Sequence, residues 1–280
     1  MKAQHGIRKK ARLALWCAVC FCLAVPVVFP VMYAFLGSFR TAGEFSRLPP
    51  ALFPDSFLNF DSYVQVFTRV PMARYFLNSL GTTALVCAVK ICLSILAAYA
   101  FAFFEFRLKD LLFVVILGTM MLPADTLIIT NYRTVSRMGL TNTWLGVAIV
   151  SFAGASQMFM LRQAFVQAPR ALRDAAFMDG CGDMRFLWRI LVPVCRPVVI
   201  TLLMQAFVAQ WNAYLWPLMV TDSDAMRTVQ VGITMLTGAE DTNYQVVLAG
   251  ACAALVPPVA LFITVRRRLT ASMTRGAVSD

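Results

Sequence analysis

Apolar positions in this 280-residue chain fall into six long runs rather than into the stripes of amphipathic helices. The runs cover 13–36, 78–104, 111–130, 143–164, 197–220 and 245–265. Each is of the size that crosses hydrocarbon, for which a helix needs roughly 20 residues. The first alone gives about 36 Å of helix at about 1.5 Å per residue. The pattern predicts an all-α, polytopic membrane protein, with six transmembrane helices in a single domain over 1–280. The first run follows Arg8, Lys9, Lys10 and Arg12, as a secretory signal would, but it continues through Pro26, Pro30 and Met32. A signal core is shorter, so this run is expected to remain as an anchor.

Composition sharpens that reading. Hydrophobic residues make up 60% and charged residues 14%, with a mean hydropathy of +0.71. A soluble domain carries about a quarter charged residues, which excludes most soluble hydrolases and transferases. The net charge of +11 does not point to nucleic acid, because Lys and Arg sit in short segments between the apolar runs. With the N-terminus inside, the inner segments are the N-terminal tail, 105–110, 165–196 and the tail from Arg266. These hold most of the 25 basic residues, against about seven in the outer segments, which is the positive-inside bias. Both termini are therefore expected in the cytoplasm. The outer segment 37–77, with Pro49, Pro50, Pro54 and several aromatics, should be folded, and 221–244 is acidic and turn-rich.

Chemistry-bearing residues are sparse. Cys17, Cys20, Cys22, Cys87, Cys92 and Cys252 lie within apolar runs and read as small hydrophobes, with no disulfide framework expected. His5 is the single histidine, so no His-rich metal site is expected. Neither a metal cluster nor a nucleophile paired with a base stands out, and the chain reads as a non-enzyme. It also carries no G-x-x-x-x-G-K-[ST] loop to cradle nucleotide phosphates.

The most informative stretch is 165–196. Pro169 suits a first helical turn, and Gly180 and Gly182 mark a reversal. An apolar face then resumes at Phe186, Leu187 and Ile190, and Pro193 is expected to stop the second helix. Such a pair, with exposed apolar residues on the basic side of a membrane protein, calls for a partner surface. Composition alone would equally suit a helix lying on lipid headgroups. The spacing resembles the loop of binding-protein-dependent ABC importer permeases, E-A-A, three residues, G, nine residues, I-x-L-P. Here Asp174-Ala175-Ala176 is followed by three residues, Gly180, nine residues, Ile190 and Pro193. Asp174 stands for Glu and Val192 for Leu, which keeps the carboxylate but shortens it by one methylene.

The resemblance implies a type I importer permease whose loop docks on a cytoplasmic ATPase and relays its closure to the spans. Ala175 and Ala176 would allow close helix approach, Gly180 the reversal, and Asp174 and Asp179 would offer charge to basic groups on the partner. Implied partners are a second, homologous permease forming a heterodimer, two ATP-binding subunits and an extracytoplasmic solute-binding protein. The chain itself needs no cofactor, since ATP binds the partner subunit. The segment 207–218, Phe-Val-Ala-Gln-Trp-Asn-Ala-Tyr-Leu-Trp-Pro-Leu, is similar to the W-N-x-x-L-W-P-L stretch of permeases for carbohydrates and sugar-like solutes, and Gly276-Ala277-Val278 to their C-terminal ends. Met121-Leu122-Pro123-Ala124-Asp125 is most similar to glycerol-3-phosphate uptake permeases.

Polar groups within spans are costly and usually face a bundle interior. Gln205, Asn212 and Trp216 are spaced for one face of a continuous fifth helix and, with Trp211, are candidates for a solute pathway. The same residues also suit helix-to-helix hydrogen bonds and an aromatic belt at the membrane interface. Lys90 and Asp125 are the ionisable residues deep in the apolar runs. They suit a neutralising pair, a snorkelling lysine, or positive potential for an anionic solute. Pro123 should kink the third span. A self-contained secondary transporter or channel, with Lys90 and Asp125 as its coupling charges, is the competing class.

Overall fold

The computed structural model describes residues 2–47, 52–237 and 243–276, without the side chains of 2–12, 14, 124, 125 and 267–276. The sequence features at Pro49, Pro50, Glu240, Asp241, Ala277 and Val278 lie outside the described residues, as does the Asp125 side chain and with it any pairing to Lys90.

The described residues form helices and irregular segments, with no strand among them. In chain order, α1 is Lys2–Ser38, α2 Ala42–Phe45, α3 Asp61–Arg69, α4 Met72–Phe103 and α5 Lys109–Thr119. A 3-10 turn, Ala124–Leu127, leads into α6, Ile128–Arg137, and α7, Trp144–Ala148, runs into a second such turn, Ile149–Ser151. Next come α8, Ala155–Gln167, α9, Arg170–Met178, and α10, Asp183–Phe186. A π turn, Leu187–Leu191, joins α10 to α11, Val192–Val194. The chain ends with α12, Arg196–Trp211, α13, Leu215–Val220, α14, Val229–Met235, and α15, Tyr244–Gly276.

Three of the six apolar runs are continuous helices long enough to cross a membrane among the described residues, at Leu15–Ser38, Met72–Phe103 and Tyr244–Arg266. The other three are broken; the break in the third was expected at Pro123, and those in the fourth and fifth were not. In the third, α5 stops after 11 residues, about 16 Å of rise. Pro123 lacks an N–H and disfavours helical geometry at Leu122, so the chain turns before resuming at α6. In the fourth, α7 with its 3-10 turn meets α8 at 52° across Phe152, Ala153 and Gly154. In the fifth, the helix ends at Trp211 and restarts at Leu215.

The chain forms two compact units, the first Met1–Val70 with Ile233–Leu255 and the second Pro71–Gly232 with Val256–Asp280. In the first, Phe39 is ringed by Phe35, Phe57, Phe60 and Tyr63. The Tyr63 and Ser38 hydroxyls share a 2.8 Å hydrogen bond. Buried Glu44 closes a capping box on Thr41, accepting from its N–H at 2.8 Å, and accepts from the Asp55 N–H at 3.1 Å. This is why the described part of 37–77 is folded. Arg40, 1% exposed, lies against the Tyr33 and Phe45 rings at 5.5 and 5.4 Å, which partly replace its lost hydration.

In the second unit α4 is the axis, packed by α7, α8 and α12. Its Met72 end is tied down by Asn78, whose Nδ2 donates to the Ala225 and Arg227 carbonyls, both at 2.9 Å, and whose Oδ1 accepts from Trp144 Nε1 at 3.0 Å. Its Phe103 end carries the larger core, where Ile95, Ala98, Tyr99 and Phe101 meet Leu161 and Phe165 of α8.

Candidate functional site

The segment singled out by spacing folds as an elbow at the Phe103 end of α4. The α9 helix ends in a Schellman closure: the Gly180 N–H donates to the Phe177 carbonyl at 3.0 Å and the Cys181 N–H to the Ala176 carbonyl at 2.9 Å. That closure needs a left-handed residue, and Gly180 supplies it at φ +74°. Of the Asp174-Ala175-Ala176 triplet, only Ala176 turns inward, at 5% exposure, into the core with Phe186, Leu187 and Leu191. Asp174, Ala175 and Asp179 face outward, and neither carboxylate has an ion-pair partner among the described residues. Beside them Leu172, Phe177, Met184 and Trp188 are exposed, and Met178 stands out at 88%. A groove of about 240 Å³ runs along the elbow, lined by Pro169, Arg170, Asp174, Phe186 and Ile190 among others.

The elbow is fixed to the helices beneath it by groups distant in sequence. The Tyr99 hydroxyl on α4 donates to Asp183 Oδ1 at 2.7 Å. Arg173 on α9 reaches the same oxygen at 3.9 Å, and its guanidinium lies 5.0 Å from the ring centres of both Phe103 and Phe177. The short bond to a carboxylate outweighs the long, partly exposed ion pair. Phe186 fills the space between, with Phe103, Phe177 and Tyr99 at centroid distances of 6.2, 6.1 and 6.5 Å. Such aromatic pairs add about 0.5–1.5 kcal/mol each beyond area burial.

Pro193 was expected to stop the second helix, and it does not. The Val192 N–H reaches back five residues to the Leu187 carbonyl, forming the π turn. A proline clashes with the carbonyl four residues before it and offers no N–H. The wider turn accommodates both demands, and the helix runs on to Val194. The stop falls at Cys195, where the Asp183–Val194 and Arg196–Trp211 segments meet at 83°. Pro197 in the first turn of α12 suits that start. Ile190 is half-buried in the π turn, while Pro193 is exposed.

The pathway candidates separate. Because α12 ends at Trp211, Gln205, Asn212 and Trp216 do not share one helical face. Gln205 is exposed on α12, and Asn212, exposed at its C-cap, accepts from Gln230 Nε2 at 3.4 Å. Trp211 is 1% exposed and packed against Phe207 and Phe76. Trp216 on α13 donates from Nε1 to the Gly146 and Val147 carbonyls at 3.3 and 3.1 Å, tying α13 to α7. Lys90 is half-buried on α4, and its Cδ lies 3.3 Å from where a Cβ on Gly154 would sit. Asp125 has its backbone in the 3-10 turn after Pro123. Sequence reasoning missed Tyr99, Arg173 and Asp183 because no local signal marks a tyrosine and a carboxylate 84 positions apart as partners.

A membrane chain that is helical throughout its described residues, with broken spans and an exposed elbow held against α4, has the architecture of a transport permease. It belongs to the family of binding-protein-dependent transport system inner membrane components, whose pattern matches residues 90–275. Its relatives include the sn-glycerol-3-phosphate transport system permease protein UgpE of Rhizobium meliloti (strain 1021), 32% identical over 249 residues, 86% of this chain and 88% of the relative. The arabinooligosaccharides transport system permease protein AraQ of Halalkalibacterium halodurans is 30% identical over 258 residues, 91% and 92% of the two chains. Among solved structures, a chain of a bacterial ABC transporter involved in the import of the acidic polysaccharide alginate shares the fold, with a TM-score of 0.80 at 18% identity over 91% of this chain and 95% of that one.

Proposed function

We propose that this permease forms one half of a translocation pathway with a second, homologous permease, driven by two copies of a cytoplasmic ATP-binding subunit and fed by an extracytoplasmic solute-binding protein. Both termini then lie in the cytoplasm, and the elbow of α9 and α10 is the handle. Its exposed Met178 and Met184 enter a groove on the ATPase, with Asp174 and Asp179 meeting basic groups there. Closure of the ATPase pair on ATP pulls the handle, and the Tyr99, Asp183 and Phe186 contacts pass the displacement to α4 and α8. The solute is a polyhydroxylated, sugar-like molecule, in keeping with the glycerol phosphate and arabino-oligosaccharides named for the relatives. Gln205, Asn212 and Lys90 are the side chains offered to it.

The single observation that carries the reading is an apolar, 88%-exposed methionine at the tip of an elbow whose other face is core. Nothing lies within 4 Å of a Cβ built on Gly180, so a side chain there meets strain but no collision within the chain. Gly180→Ala should therefore cost about 1–2 kcal/mol of stability from the left-handed backbone and still bind the ATPase. Gly180→Trp carries the same backbone cost but adds bulk to the tip, and should lose ATPase co-purification and ATP-dependent uptake. Co-purification of Gly180→Trp at the wild-type level would refute the docking role.

A further inference from the structure

The apolar residues that follow α1 do not all turn into its core. On α3, at about 100° of rotation per residue, the positions sort into three faces. Ser62 and Val66 are buried, Asp61, Gln65 and Thr68 make a polar face, and Val64 and Phe67 stand half-exposed on the third. The loop leading into the helix adds Phe57 and Phe60, also half-exposed, and Leu58 at 85%. Side chains fix the path of this loop: the Leu58 N–H donates to Ser56 Oγ at 3.2 Å and the Asp61 N–H to Asn59 Oδ1 at 3.1 Å. Large apolar side chains held outward together mark an interaction surface.

The level of this surface follows from the first span. Leu15–Ser38 is apolar over 24 residues, about 36 Å of rise, which carries it across hydrocarbon to the headgroup boundary near Ser38. Ser38 shares its 2.8 Å hydrogen bond with Tyr63 of α3, so α3 sits at that boundary. Apolar surface is also continuous between the two helices. Phe35, half-exposed on α1, meets Phe39 at a centroid distance of 5.3 Å, and Phe39 meets Phe57 and Phe60 at 5.9 and 5.6 Å. An amphipathic helix with aromatic residues at this depth matches the membrane–water interface, with its apolar face in the acyl boundary and its polar face among headgroups.

We propose that α3 and the loop 57–60 lie in the headgroup layer at the Ser38 end of α1, with the bilayer itself as the partner of Phe57, Leu58, Phe60, Val64 and Phe67. The segment is then a foot planted on the membrane and not a docking face for a soluble protein. Leu58 is exposed enough for tryptophan to replace it without disturbing the chain, and Val64 gives a second position on the helix. The full-length chain is reconstituted in phosphatidylcholine nanodiscs, with its five native tryptophans measured as background in the unsubstituted protein. An interfacial ring sits about 5–10 Å into the headgroup and acyl boundary, so the added fluorescence of Leu58→Trp and of Val64→Trp should fall about twofold or more when the lipid carries bromine near the headgroup end of its acyl chains. Asp61→Trp, on the polar face, should lose less to bromine and more to aqueous iodide. Free access of iodide to positions 58 and 64, with no loss to bromine, would overturn the proposal and leave the patch open to a soluble partner. Protection of both positions from both quenchers would overturn it as well, because protein would then cover them.

Discussion

At the scale of single residues, the elbow is held by chemistry concentrated on one carboxylate. Asp183 accepts from Tyr99 at 2.7 Å and meets Arg173 only at 3.9 Å, so most of its worth lies in the tyrosine bond. Tyr99→Phe and Asp183→Asn should each lower stability by about 1.5–3 kcal/mol, the range for a hydrogen bond to a charged group. The double variant should cost less than the sum, with a coupling of about 0.5–3 kcal/mol. Thermal unfolding of the four proteins in detergent, followed by circular dichroism, measures that cycle, and strict additivity would show that the two groups do not interact. Gly180 was legible in the sequence because a left-handed helix end has a residue signature. Tyr99 was not, since its role depends on where α10 lands in space.

Between elements, the permease relies on close approaches that glycine permits. A Cβ at Gly81 of α4 would lie 2.4 Å from the Trp144 ring, and one at Gly232 would lie 2.2 Å from Tyr75. Both rings are also hydrogen-bonded, Trp144 to Asn78 and Tyr75 to Asp224, so neither can swing away freely. Gly81→Ala should thus destabilise by about 1–3 kcal/mol through overpacking, read as a lower melting temperature in detergent. A wild-type melting temperature would mean that α7 yields. The apolar runs showed where helices lie but not where they break, because hydropathy is blind to a missing N–H or to an 83° turn at Cys195. Pro123 gave its break away. Pro193 misled, since the π turn absorbs it, and the same blindness put Asn212 and Trp216 on one imagined face.

For the whole molecule, the docking role proposed for the elbow requires the motor to lie in a separate subunit. Vesicles containing this chain and a partner permease but lacking the ATPase should take up no solute under an imposed proton or sodium gradient, whereas adding the ATPase, binding protein and ATP restores uptake. Gradient-driven uptake without the ATPase would instead favour a secondary carrier. The membrane class and the elbow could be read from spacing and composition, because hydrocarbon thickness and helix-end geometry constrain sequence directly. The solute path could not, since it depends on where broken helices place their side chains. The π turn carries a last consequence. A residue added to or lost from this stretch shifts everything after it by about 100° of helical rotation, because one residue is about 1/3.6 of a turn. Leu187, Leu191 and Cys195, four residues apart from one to the next, all reach the core from this stretch. Insertions and deletions should therefore be tolerated far less between 187 and 195 than conservative exchanges are, since losing one position would rotate the handle against its own shaft.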